Sequence, residues 1–254
     1  MIQHIRQAFN QAFTDATYQQ YLDFIKQRYP NSVGFRIAET PVFFDKAFKD
    51  DIISAGEAIC KQLVSKETIA QLTKSIPKEF SEKESDTLPN CILLDFAITK
   101  NEDSLDFALI ELQAFPSLFA YEMLQDQAIQ KFFTIPDQFS AYLNQYTNDS
   151  YLKDLKSLIV DCYPENTILL ELDPEKQKTK IDFYCTRDYV NIPIINIRDL
   201  QYSKQKWYFH SEDGLKEVKR IYNRIVVDEI QSDKGILETF IALANDASIE
   251  WFTH

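Results

Sequence analysis

The sequence predicts an α/β (α+β) protein: N-terminal helices with an antiparallel strand pair over residues 1–160, then a small α/β domain over residues 161–254. Three observations carry that expectation. Apolar side chains recur at helical spacing through residues 1–29 and again over residues 48–72. Two apolar runs, residues 91–98 and 105–112, flank the polar separator TKNEDS. From Asn166 onward, strand-like runs and a helical stretch alternate in the order strand, helix, strand.

Taken in order, Ile2, Ile5, Phe9 and Phe13, then Tyr18, Tyr21, Leu22 and Ile25, mark two helices parted near Thr14 and Asp15. Pro30, Asn31 and Gly34 make a turn, and residues 35–44, FRIAETPVFF, read as an extended segment interrupted by Pro41. Within it, Arg36 and Glu39 read as an exposed ion pair. Asp45 is a plausible cap for the helical pattern from Phe48 to Leu72, and Pro77 ends that region. Residues 78–89, KEFSEKESDTLP, have the composition of a linker. The separator between the next two apolar runs has turn chemistry, so they pair antiparallel. Residues 117–160 return to a helical pattern broken by Pro136. In the last part, TILLEL (167–172) and IPIINI (192–197) are strands around a helix at 178–189. Strands at 206–210 and 219–227 flank a turn at Gly214, a helix spans 236–244, and a strand spans 249–252.

Composition narrows the function. A chain of 254 residues, 45% hydrophobic, is long enough to bury roughly three quarters of its unfolded surface. Its net charge of -12 and pI near 4.8 repel nucleic acid and anionic membranes but suit small cations, metals and metal-bound nucleotides. No apolar run reaches the roughly 18 residues of a membrane span, and MIQHIRQAFNQAF reads as an amphipathic helix rather than a signal peptide. The expected location is therefore the cytoplasm. Cys60, Cys91, Cys162 and Cys185 lie far apart and three sit in apolar runs, which fits reduced core thiols better than disulfides or zinc ligation. The four glycines form no phosphate-cradling cluster, and His4, His210 and His254 suggest no nucleophile–histidine arrangement.

The chemistry concentrates in residues 109–122, LIELQAFPSLFAYE. Glu111 and Gln113, two apart on a strand, share a face. Asp95 interrupts the apolar run CILLDFAI, where an ionised carboxylate costs several kcal/mol unless it is paired, hydrogen-bonded or metal-bound. Two carboxylates and one amide oxygen on adjoining strands can hold a divalent cation, because magnesium takes oxygen ligands and substrate phosphates. The same spacing also fits a hairpin with polar edge residues in which a lysine or arginine satisfies Asp95.

CILLDFAI followed by LIELQAFPSLFAYE resembles the metal-binding half of circularly permuted ATP-grasp proteins, including those similar to glutathionylspermidine synthase. In that family an Asp on one strand, Glu-x-Asn on the next, a Thr-Pro-Ser-like turn and a Tyr-Glu recur in this order. The resemblance implies that Asp95, Glu111 and Gln113 hold magnesium, with Gln113 one methylene longer than the usual Asn. Pro116, Ser117, Tyr121 and Glu122 match the turn and helix, and Ser117 and Asn223 are cofactor-binding candidates. TPVFFDKAF is similar to the family's N-terminal region, and the segment from Thr167 to its Rossmann-like pre-ATP-grasp domain. There, IYNRIVVDE occupies the place of an arginine-bearing strand, making Arg224 the catalytic candidate that orients an anionic substrate.

The family's further half, with nucleotide-gripping lysines and a glycine loop, has no counterpart before the sequence stops at IEWFTH. The resemblance thus implies an incomplete portion of an ATP-dependent carboxylate–amine ligase, inactive alone, that activates a carboxylate as an acyl phosphate for attack by an amine. Its cofactors are Mg2+ and ATP, the latter only with the missing half. Its partners are small carboxylate and amine substrates and that C-terminal half, with no nucleic acid and no membrane. A non-catalytic binding or scaffold module that retains the fold is the alternative.

Overall fold

The computed structural model describes residues 2–76, 90–101, 104–113 and 117–252. The linker expected at 78–89 and the turn at Pro116 lie outside the described residues. The chain is a mixed α/β protein: helices first, an antiparallel pair next, then a parallel sheet.

Helices α1 (Gln3–Ala12) and α2 (Asp15–Arg28) part where expected, because the Thr14 side chain accepts the Thr17 N–H at 3.1 Å and starts a new helix. Residues 35–44 differ from expectation. They form no strand, since their carbonyls bond to the helical layer: Tyr18 Oη donates to Ile37 O (2.6 Å) and Arg6 Nη1 to Pro41 O (3.2 Å). Arg36 and Glu39 do form an exposed ion pair on this segment. Asp45 caps α3 (Lys46–Leu63) by accepting the Phe48 N–H at 2.9 Å, and Ser65 opens the short α4 (Lys66–Thr73).

Strands β1 (Leu93–Asn101) and β2 (Ser104–Gln113) pair antiparallel. Leu94 and Phe96 share the face covered by α3: a Cβ on Gly56 would lie 3.2 Å from Leu94, and Phe107 meets both Phe96 and Phe48 edge-on. Period-two alternation turns Asp95 to the opposite face. After β2 come α5 (Phe119–Phe132) and α6 (Asn148–Val160), with an irregular stretch around Pro136 between them.

A four-stranded parallel sheet follows, in the order β4-β3-β8-β9, from β3 (Thr167–Glu171), β4 (Ile194–Asn196), β8 (Arg220–Asn223) and β9 (Glu250–Trp251). Helix α7 (Lys180–Val190) joins β3 to β4, completing the expected strand–helix–strand unit. Between β4 and β8, a separate sheet holds β5 (Gln201–Ser203), β6 (Lys206–Ser211) and β7 (Gly214–Glu217). Gly214 takes φ +113°, a left-handed turn that closes the β6–β7 hairpin. The strand expected at 219–227 is thus shorter and joins the parallel sheet, while β7 is the true partner of β6. Helices α8 (Val227–Ile230) and α9 (Lys234–Ala244) complete the chain.

Ile181 and Cys185 of α7 belong to the same buried cluster as Tyr21, Ile25, Leu124 and Ala128, so the N-terminal helices and the sheet layer are joined through α7. On the opposite side of the sheet, Ile168, Leu170 and Ile221 pack with Phe240 and Leu243. The four cysteines are free; Cys185 is buried, whereas Cys162 is exposed rather than a core thiol. Among the described residues, no helix is long and apolar enough to cross a membrane.

Candidate functional site

Asp95 and Glu111 are direct cross-strand partners, and Gln113 lies opposite Leu93 two pairs further on. The register shifts between Asp95 and Phe96: Phe96 pairs with Leu109, leaving Ile110 as an extra residue. Such a bulge re-aims the strand beyond it. Here it sets Glu111, rather than Ile110, across from Asp95. The amide Nε2 of Gln113 donates to Glu111 Oε1 and lies 3.5 Å from Asp95 Oδ2, so all three polar ends converge.

The electrostatics of this cluster suit a cation. Asp95 is half-buried and its carboxyl is held above the usual range, first by burial and then by the adjacent Glu111 carboxylate and their hydrogen bond. A divalent ion between the two acids would relieve that repulsion. The carboxamide of Gln113 can turn its oxygen inward, giving two carboxylates and a neutral oxygen donor, a set compatible with magnesium. Among the described residues, no three His, Cys, Asp or Glu side chains gather as a metal-binding group.

Ser117 is half-buried just before α5. That helix is held by a residue distant in sequence: Asp182 of α7, fully buried, accepts the N–H of Leu118 at 3.1 Å and of Tyr121 at 3.0 Å. Burial pushes the Asp182 carboxyl up; Arg224 and the α5 amides oppose the shift. Glu122, in the first turn of α5, is pushed up to about 7 by desolvation and by the nearby Asp182 and Asp95 carboxylates, although part of its side chain reaches solvent. Glu122 therefore lies electrostatically between the hairpin cluster and the acid on α7.

Arg224 and Asn223 sit at the C-terminal end of β8, next to the end of β3. The chain leaves β3 for β4 on one side and then passes from β4, through β5–β7, to β8 on the other, and the crevice at such a reversal is the usual ligand position in open α/β sheets. Arg224 is 6% exposed, lies 5.6 Å over the Phe183 ring and 5.9 Å over Tyr222, and acts electrostatically on both Asp182 and Glu171. Glu171 closes β3; burial raises its carboxyl to about 8 against the pull of the Leu172 N–H, which it accepts at 2.7 Å, and of Arg224. Asn223 uses its carboxamide on the backbone of Ile225, accepting at 3.0 Å and donating at 3.3 Å.

Asp95, Glu111 and Gln113 thus come together, while Arg224 and Asn223 form a second group connected to them through Asp182 and Glu122. Sequence reasoning missed Glu171 and Asp182. The signal was available for Glu171, an acid in the apolar run TILLEL like Asp95 in CILLDFAI. Asp182 was marked only by its place beside Ile181, Phe183 and Cys185 in a buried helix. No protein-family model matches the chain, and no curated protein matches it.

Proposed function

We propose that the chain carries the metal-binding and pre-ATP-grasp parts of an ATP-dependent carboxylate–amine ligase of the permuted ATP-grasp type. The supporting observation is the convergence of Asp95, Glu111 and Gln113 on the hairpin face turned away from α3. Asp95, Glu111 and Gln113 would hold Mg2+, which would supply positive charge to offset that developing in phosphoryl transfer. Asp95 and Glu111 would supply anionic oxygens and Gln113 its amide oxygen to hold the ion. Arg224, stacked on Phe183 and Tyr222, orients an anionic substrate group from the end of the parallel sheet. This reading also requires nucleotide-gripping lysines and a glycine loop, which the described residues do not supply.

This reading expects little or no ATP hydrolysis by the isolated chain. Magnesium-dependent hydrolysis at a robust rate, abolished by Glu111→Ala, would contradict the claim that the nucleotide half is supplied separately. One observation favours a second reading, a binding or scaffold module that keeps the fold without chemistry. Gln113 already donates to Glu111, and Arg224 is enclosed beside the Glu171 and Asp182 carboxylates, so these groups have partners within the chain. The two readings separate on a metal titration, since only the ligase requires the hairpin acids to take up Mg2+.

A further inference from the structure

In a two-stranded antiparallel sheet, alternate residues of each strand turn their N–H and C=O groups away from the partner strand, and β2 has only β1 beside it. Among the described residues, β2 makes no backbone hydrogen bond to any other element. Ala108, Leu109, Ile110 and Glu111 are exposed in succession, whereas residues 93–97 of β1 are half-buried. Leu109 is 45% exposed although it shares the α3-facing side with Phe107, so the helix leaves the outer margin of that side uncovered. The bulge at Ile110 is a device that blunts sheet edges, but residues 104–109 before it pair with β1 one by one. This regular stretch has two distinct sides. Leu105, Phe107 and Leu109 line one, while Asp106 and Ala108 lie on the other, to which Glu111 returns beyond the bulge.

We propose that the outer edge of β2 docks an extended segment of another polypeptide, which adds as a third strand beside residues 104–109. Its apolar side chains lie against Leu105, Phe107 and Leu109, and its alternate residues are basic, with a lysine or arginine beside Asp106. The strand backbone supplies the hydrogen bonds, and the two sides of β2 supply the selection. Two strands alone are a marginal sheet, so a third also stabilises the hairpin.

Charge identifies the partner as basic. Residues 91–113 include the acids Asp95, Glu102, Asp103, Asp106 and Glu111 against the single base Lys100. A second copy of the chain fits poorly, because two β2 strands paired about an axis between Asp106 and Glu111 set acid against acid, and each chain carries a net charge of -12. An acidic strand meets the same repulsion. Neither metal nor nucleotide takes part, so the proposal stands apart from the ligase reading.

The test is fluorescence anisotropy of a labelled peptide of alternating valine and lysine, VKVKVKV, titrated with the whole chain at low salt in EDTA. The comparison peptides are VEVEVEV and the lysine peptide with N-methylated valines, whose valine amides cannot donate to a strand. Saturable binding of VKVKVKV is expected, at least about tenfold weaker for both comparison peptides. Amide hydrogen exchange at residues 105–109 should slow when the lysine peptide is bound. Asp106→Lys, at an exposed position, should fold normally and shift the preference from VKVKVKV towards VEVEVEV. No saturation below roughly 1 mM, equal affinity for the N-methylated peptide, an unchanged preference in Asp106→Lys, or unchanged exchange at residues 105–109 would overturn the proposal. A concentration-dependent dimer of the chain alone that slows exchange at the same residues would assign the edge to a second copy and overturn it as well.

Discussion

The carboxylate of Asp182 accepts the backbone N–H of Tyr121 at 3.0 Å, tying the first turn of α5 to the middle of the sheet-covering helix α7. Asp182 is fully buried, and its other oxygen accepts the N–H of Leu118. Leu118 has φ 68°, a left-handed conformation that this contact helps to hold. One side chain therefore sets both the start of α5 and the position of Glu122.

Replacing Asp182 by Ala leaves buried α5 amides without their acceptor and should cost about 2–4 kcal/mol in urea unfolding. Asp182→Asn keeps one acceptor oxygen and should cost less. Equal losses in the two variants would show that the contact acts by volume rather than by hydrogen bonding.

Glu171 makes stability depend on pH in the sense opposite to a salt-bridged acid. Its folded carboxyl is raised from an ordinary value of 4.5 to about 8, so between those values the folded chain binds a proton that the unfolded chain has released. Stability then falls as pH rises through this window. Glu171→Gln should flatten the decline and be the more stable form at pH 8 by about 1–3 kcal/mol. Urea midpoints from pH 5 to 9 check the slope; a wild-type curve that rises across the interval contradicts the assignment.

Gly34 joins the N-terminal layer to the loop before α7, its N–H donating to Lys178 O at 3.0 Å. A Cβ there would lie 2.8 Å from backbone atoms of Lys178, which cannot rotate away. Gly34→Ala should lower stability by about 1–3 kcal/mol, read as a drop in Tm. An unchanged Tm would mean that the two segments separate at no cost.

Much of this arrangement was legible in the residues. Alternation in CILLDFAI and LIELQ placed Asp95, Glu111 and Gln113 within reach, because period two fixes which side chains share a face. The bulge at Ile110 was not legible, since one added apolar residue leaves the run equally apolar. Strand β7, GLKE, was missed because its polar residues show no buried face and its pairing depends on β6. Residues 35–44 look extended in sequence, yet strand formation needs a neighbouring edge, and α1 and α2 take their hydrogen bonds instead. The link from Asp182 to Leu118 and Tyr121 spans more than sixty residues, at separations of 64 and 61, and no local pattern encodes it.

The most direct test of the central claim is a titration of the chain with Mn2+, as a paramagnetic substitute for Mg2+, followed by electron paramagnetic resonance. One bound ion is expected, weakened at least about tenfold by Asp95→Asn and by Glu111→Gln, and competed away by Mg2+. Absence of a bound ion, or equal binding by wild type and both variants, would contradict a metal site on the β1–β2 hairpin.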